Sequence, residues 1–193
     1  MTINSKSLLY KNISDLTFIS ISNFEKLFET ANQRLLKKGE IILKQGQVCN
    51  AIFFVEIGFL RTYIDNENGE INIDFTFEGN FTTNLKSLRS NTFSENNIQA
   101  GENAVIYEFD KIKLLELYKS SPQIESFGRN LLENLIISKE NHTNLFKIYS
   151  LKERYHYLQI NKPELFQRIS LTQLASYLGV ARETLSRIRK NKT

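Results

Sequence analysis

The chain has one cysteine, Cys49, only two histidines, two prolines and no tryptophan among its 193 residues. A lone thiol closes no internal disulfide and supplies no thiolate set for zinc or an iron–sulfur cluster. The histidines, His142 and His156, leave residues 1–141 with none, and neither has a cysteine or second histidine at ligand spacing. The sequence therefore predicts no metal and no resident cofactor. It also disfavours an enzyme, since a cupin-like metal site needs clustered His and carboxylate ligands on strands. Long apolar runs are missing too. The longest, Ala51 to Leu60, is ten residues with Glu56 inside it, against the ~20 that a membrane helix requires. The first residues, MTINSKSLLYKN, lack the apolar stretch and small-residue site of a secretion signal. A cytoplasmic protein with no membrane contact is the expectation.

What is present is a globular composition, 41% hydrophobic with 14 Phe and 8 Tyr, enough to exclude disorder for most of the chain. Charge is unevenly placed. Residues 147–193 hold ten Lys or Arg against three Glu, a balance of +7, whereas residues 1–146 carry −3. A basic tail on an acidic body suits a polyanionic partner for the tail alone.

Three textures follow one another. Residues 3–30 read as short helices, with Ser22 or Asn23 as the N-cap of SNFEKLFE. From Arg34 to Asp110, short runs of Ile, Phe, Val, Tyr and Thr alternate with Gly39, Gly46, Gly58, Gly69 and Gly79. Such spacing predicts an antiparallel barrel or jelly-roll, with Ile71, Ile73, Phe75 and Phe77 on one strand face. Pro122 then opens the one long helix, to about Tyr149. Positions 124, 128, 131, 135, 138, 142, 145 and 149 are spaced alternately four and three, a heptad seam. Leu131, Leu135 and Leu145 are its candidate dimer contacts. A second stripe, Phe127, Leu132, Ile136 and Phe146, widens the apolar surface.

The last segment, SLTQLASYLGVARETLSRIRK from Ser170 to Lys190, has the pattern of a helix-turn-helix. Ser170 with Gln173 is a capping box. Leu174 and Leu178 face inward, Ala175 permits close approach and Gly179 supplies the left-handed turn, after which Leu185 and Ile188 face inward again. The opposite face offers Arg182, Glu183, Thr184, Ser186, Arg187 and Arg189. Arg grips guanine edges, Glu accepts from cytosine, and Thr reaches phosphate or a thymine methyl. Thr172 and Ser186 are candidate phosphate contacts.

The chain resembles the Crp/Fnr superfamily of transcription regulators. The resemblance rests on the glycines at 39, 46, 58 and 79, the FEGNF turn at 77–81, the SPQ at 121–123 and VARETLSRIRK at 180–190. It implies an α+β chain: an N-terminal antiparallel β-roll or jelly-roll of the cyclic-nucleotide-binding kind (1–121), a dimerisation helix (122–149) and a small helix-turn-helix domain (150–193) without an evident β-wing. It implies a homodimer on an inverted repeat in double-stranded DNA, with half-sites ~34 Å apart that carry G·C pairs in a TGTGA-like sequence, and a contact with RNA polymerase. Arg182, Glu183, Thr184 and Arg187 match the family's DNA-reading residues.

The departures concern the effector. Where nucleotide-binding relatives have Gly-Glu-Leu, this chain has Thr83, Asn84 and Leu85; where they have an Arg-Ser or Arg-Thr, it has Ser94 and Glu95. A cyclic phosphate would meet a carboxylate in place of a charge-assisted bond. Lys139 and Glu140 also mismatch the adenine contacts. The pocket is read as degenerate for cyclic nucleotides, with an unknown small-molecule effector or none, and one cysteine excludes the iron–sulfur branch. The competing reading is an effector-binding dimer whose basic tail contacts a non-DNA partner.

Overall fold

The computed structural model describes residues 8–67 and 69–190. Part of the expected leaderless N-terminus and the segment beyond Lys190, where no β-wing is expected, lie outside the described residues. Two helices, α1 (Leu8–Leu16) and α2 (Ile21–Glu29), precede strands β1 (Ala31–Leu36), β2 (Ile41–Leu43), β3 (Ala51–Ile57), β4 (Leu60–Asn66), β5 (Gly69–Thr76) and β6 (Phe81–Thr82). A short helix α3 (Leu85–Ser90) leads to β7 (Asn97–Ala100) and β8 (Ala104–Asp110). The strands form two four-stranded antiparallel sheets, ordered β1-β8-β3-β6 and β2-β7-β4-β5. This is the jelly-roll that the spacing of short strands and glycines predicts, and all five inter-strand glycines take positive φ.

Two local readings change. The N-cap of α2 is Ser20, whose side chain accepts from the Asn23 N–H, so the helix starts earlier than Ser22. The even alternation of Ile71, Ile73, Phe75 and Phe77 is broken by a bulge: Tyr63 pairs Asn72 and Thr62 pairs Asp74, leaving Ile73 unpaired. Asn72 and Phe75 are consequently buried while Ile71 is exposed.

Helix α4 (Lys111–Ser120) turns at Ser121 into α5 (Pro122–Ile148). Ser121 caps α5 through the Ile124 N–H, and Pro122 occupies the first turn, where no amide partner is needed. The first half of α5 packs on the roll: Ile124, Phe127 and Leu131 join Phe54, Phe81 and Phe109 in one core. Gly128 lies under the Tyr118 ring of α4, where an added Cβ would sit 2.4 Å from the ring carbon Cζ. That glycine lets α4 and α5 approach each other closely.

Helices α6 (Leu151–Asn161), α7 (Glu164–Arg168), α8 (Leu171–Tyr177) and α9 (Arg182–Lys190) complete the chain. Their core, with Tyr155, Leu158, Leu165, Leu174, Leu178 and Leu185, also takes in Phe59 and Phe75 of the roll and Leu145 of α5. The C-terminal helices are thus seated on the β4–β5 end of the roll.

Candidate nucleic-acid interface and effector cassette

The turn between α8 and α9 follows from Gly179. With φ at +69°, it reverses the chain so that its own N–H donates to Ser176 O and the Val180 N–H donates to Ala175 O, both 3.0 Å. These two bonds make a Schellman motif. Ser170 caps α8 by accepting the Gln173 N–H at 3.2 Å, while its hydroxyl donates to Gln173 Oε1 at 3.0 Å. Among the described residues, a fully reciprocal capping box lies instead at Ser150 and Glu153, opening α6.

Leu185 is wholly buried and Ile188 packs beside it, which fixes the rotation of α9. At 3.6 residues per turn, the face opposite these two carries Glu183, Ser186, Arg187 and Lys190, with Arg182 at its edge. Arg182, Glu183, Arg187 and Arg189 are exposed, and Thr184 and Ser186 are half-buried. Among the described residues, Arg182, Arg187 and Arg189 have no ion-pair or hydrogen-bond partner. Thr172, on α8, is exposed as well. The sequence-derived set therefore lies on one two-helix unit with its cations uncommitted.

The unit is held on the roll by residues that the sequence reading missed. Ser176 of α8 accepts the Asn72 N–H at 2.9 Å and donates to Glu70 O at 3.1 Å, so it satisfies the open edge of β5. Arg168 of α7 binds Glu78 through both carboxylate oxygens, at 2.7 and 2.9 Å, and also pairs with Glu102. Its guanidinium lies 5.3 and 5.2 Å from the ring centroids of Phe59 and Phe77. Burial pushes the Glu78 carboxyl up, but the bonds from Arg168 and from the Gly58 amide outweigh it and hold it below the usual range. The Glu78 hydrogen bonds, joined by Glu102 and opposed by burial, hold the Arg168 proton more tightly than usual. Tyr177 stacks edge-on to Phe75 and lies near His142. Burial lowers the His142 pKa, with Asp74 opposing and Lys139 and Lys162 reinforcing the shift. No contiguous motif announces this clamp; its carboxylates come from separate turns.

The cassette residues are brought together too, but they bond one another. Asn84 caps α3 by accepting the Ser87 N–H at 3.0 Å, and its amide donates to Ser94 Oγ at 2.8 Å and Asn96 Oδ1 at 2.6 Å. Ser94, 2% exposed, donates to Asn96 O at 2.6 Å. The Thr83 hydroxyl donates to Ala51 O at 2.8 Å, beside the buried Cys49 thiol. Glu95 is exposed and paired with Lys86. Leu85 lines a 440 Å³ cleft with Thr83, Leu135 and Lys139, and Lys139 is paired across it with Asp74 at 3.0 Å. Among the described residues no three His, Cys, Asp or Glu side chains converge as a metal site would require.

The dimer contacts read from the heptad pattern need correction. Leu131 is 3% and Leu145 6% exposed, each within a core of its own chain, and Leu135 is half-buried against the roll. The spacing marks the face of α5 that packs inward. Leu132, Ile136 and Ile137 are the exposed apolar residues, Ile136 at 59%.

Residues 33–121 match the cyclic nucleotide-binding domain family. The chain is 24% identical over 182 residues to the transcriptional activator protein Anr of Pseudomonas aeruginosa, covering 88% of this chain and 74% of that protein. It is 24% identical to the anaerobic regulatory protein of Pasteurella multocida, over 92% of this chain and 70% of that one. In fold it is similar to a crp/fnr-family regulator from Eubacterium rectale, at a TM-score of 0.68 and 21% identity over 90% of this chain and 83% of that one. FixK2 from Bradyrhizobium japonicum gives 0.68 at 18%, covering 83% of each. No helix among the described residues is long and apolar enough to cross a membrane. Its roll is thus matched by that domain family, and over most of its length the chain is similar to transcriptional activators and, in fold, to a crp/fnr-family regulator.

Proposed function

We propose that the chain is a sequence-specific DNA-binding regulator, acting as a homodimer on an inverted repeat, whose cyclic-nucleotide cassette no longer takes a cyclic nucleotide. The observation that carries the DNA reading is the state of α9: Arg182 and Arg187 stand exposed and, among the described residues, unpaired on a helix anchored by Leu185. A rigid helix presenting uncommitted guanidiniums suits bidentate contact with guanine in a major groove. Glu183 lies between them for cytosine, with Thr184 and Ser186 half-buried beside them and Thr172 on α8 for phosphate. In the cassette, the Asn84 amide and the Ser94 hydroxyl hold each other, and the cation beside them, Lys86, is already paired with Glu95.

The dimer reading moves to the outward face of α5, where Leu132 and Ile136, one turn apart, line up beside Ile137. Ile136→Glu is expected to halve the mass seen by sedimentation while leaving the fold intact. Leu131→Glu, by contrast, buries a charge and should unfold the chain; a folded monomer from Leu131→Glu would return the seam to the heptad row.

Selection of random duplexes against the purified chain tests the whole reading. The expected product is an inverted repeat with half-sites about one helical turn (~34 Å) apart, bound with an affinity that falls steeply with salt as phosphate contacts release counterions. Equal binding to every duplex would favour the reading in which the basic tail meets a different partner.

A further inference from the structure

A second cavity, which shares Leu85 with the cassette cleft, opens between α3, α4 and α5. Its volume is about 460 Å³, within the ~300–1,000 Å³ range of small-molecule sites. The walls are Leu88 of α3, Leu114, Leu115 and Tyr118 of α4, and Leu132 of α5. Two cations, Arg89 and Lys111, share this lining, and no carboxylate does. Arg89 is exposed and, among the described residues, unpaired; the Lys111 ammonium donates only to the Asn91 side-chain oxygen, at 2.7 Å.

We propose that this cavity binds an amphipathic monoanion, a medium-chain carboxylic acid, with its alkyl chain among the leucines and its carboxylate on Arg89 and Lys111. The apolar wall suits a chain of methylenes, and a carboxylate is the headgroup that a guanidinium engages through two parallel bonds. A second copy of this chain suits the cavity less well. The proposed dimer seam meets the cavity only through Leu132, which the two share, and the seam's apolar face laid over the rest of the opening would desolvate two cations with nothing to neutralise them. The bound acid would touch the helix capped by Asn84 and the outward face of α5 together, so one small molecule would link the two. The inference does not depend on DNA binding.

The test is calorimetric titration of the full chain with sodium octanoate, sodium decanoate, 1-decanol and decylammonium, each below its aggregation concentration. Decanoate should bind saturably, one per chain. It should bind about fifteenfold more tightly than octanoate, since each buried methylene is worth about fourfold. Decanol should be at least tenfold weaker and decylammonium silent. The double variant Arg89→Gln, Lys111→Gln should lose at least tenfold with an unchanged melting curve. Leu115→Glu, at a half-exposed position, should lose binding through repulsion. Absence of saturable heat, equal affinity for decanol, or full affinity in both variants would overturn the proposal. So would decanoate affinity that weakens as protein concentration rises, which would assign the cavity to a second copy. Co-sedimentation with anionic phospholipid vesicles, abolished by the same double variant, would reject a free acid in favour of a membrane-borne headgroup.

Discussion

The cassette around Asn84 and the exposed face of α9 hold comparable numbers of polar side chains, but the two regions differ in where their hydrogen bonds go. In the cassette Asn84, Ser87, Ser94 and Asn96 are joined in one network, and Glu95 is taken up by Lys86. On α9, Arg182, Arg187 and Arg189 have no partner among the described residues. A polar group already satisfied within the protein gains little from a ligand, because binding must first break what it has. One left in water gains a charge-assisted bond to phosphate or base at lower cost. Residue type alone would rank the two regions alike; the census of partners separates them.

The largest effect expected is on DNA. Arg182→Ala and Arg187→Ala should each weaken binding to the selected duplex by about 1–3 kcal/mol, roughly five- to 150-fold, with smaller losses on random duplex. Fluorescence anisotropy on both duplexes measures the difference, and melting should be unaltered because both side chains are exposed and, among the described residues, unpaired. Equal losses on both duplexes would make these residues phosphate contacts and erase half of the contrast.

The cassette should respond the other way. Asn84→Ala removes the cap of α3 together with the bonds to Ser94 and Asn96, and a lost cap alone destabilises by about 1 kcal/mol. Urea unfolding should show that loss, while affinity for the selected duplex, measured well below the transition, stays unchanged. A change in DNA affinity without a change in stability would mean that the cassette signals rather than supports.

Much of this was legible in the sequence, for identifiable reasons. The jelly-roll is written in short β-branched and aromatic runs separated by glycine, the start of α5 in Ser121-Pro122, and the helix-turn-helix in Leu174, Gly179 and Leu185, each a local signal acting over a few residues. What failed was non-local. A heptad row reports that one side of a helix is buried but not by what, so Leu131 and Leu145 pointed equally to a second chain and to their own. The bulge at Ile73 shifts one side of β5 with no change in composition. The docking clamp joins Arg168 to Glu78 and Glu102, 90 and 66 residues away, and only the folded chain brings the three together.

That clamp should give the helix-turn-helix unit an acid sensitivity of moderate size. The Glu78 pKa is depressed in the folded chain, so its contribution is complete above the unfolded value of about 4.3 and fades as pH falls through the lower folded value. The His142 pKa is depressed as well; its neutral form is the one the fold accommodates, so stability begins to fall earlier, as pH drops below about 6.5. Between neutrality and pH 5 the loss should therefore come from His142, and below pH 4 from Glu78. His142→Phe should remove the first phase of a thermal-stability profile against pH and leave the second. Arg168→Ala should lower stability by about 1 kcal/mol, a figure that allows for solvent screening of a partly exposed pair, and flatten the second phase only.

The smallest expected effect is none at all, and it bears directly on the two regions. A ligand that binds only the folded chain raises stability by RT ln(1 + [L]/Kd), about 4 kcal/mol at a thousandfold excess over Kd. Cyclic AMP at 1 mM would therefore shift melting by several degrees if it bound with micromolar affinity. In this chain its phosphate would have to displace the bond between Asn84 and Ser94 and to compete with the Glu95 carboxylate for Lys86. Differential scanning fluorimetry should show no shift, and a shift of even two degrees would mean that the cassette can exchange its internal bonds for a ligand's, leaving α9 without the distinction that its unpaired arginines now give it.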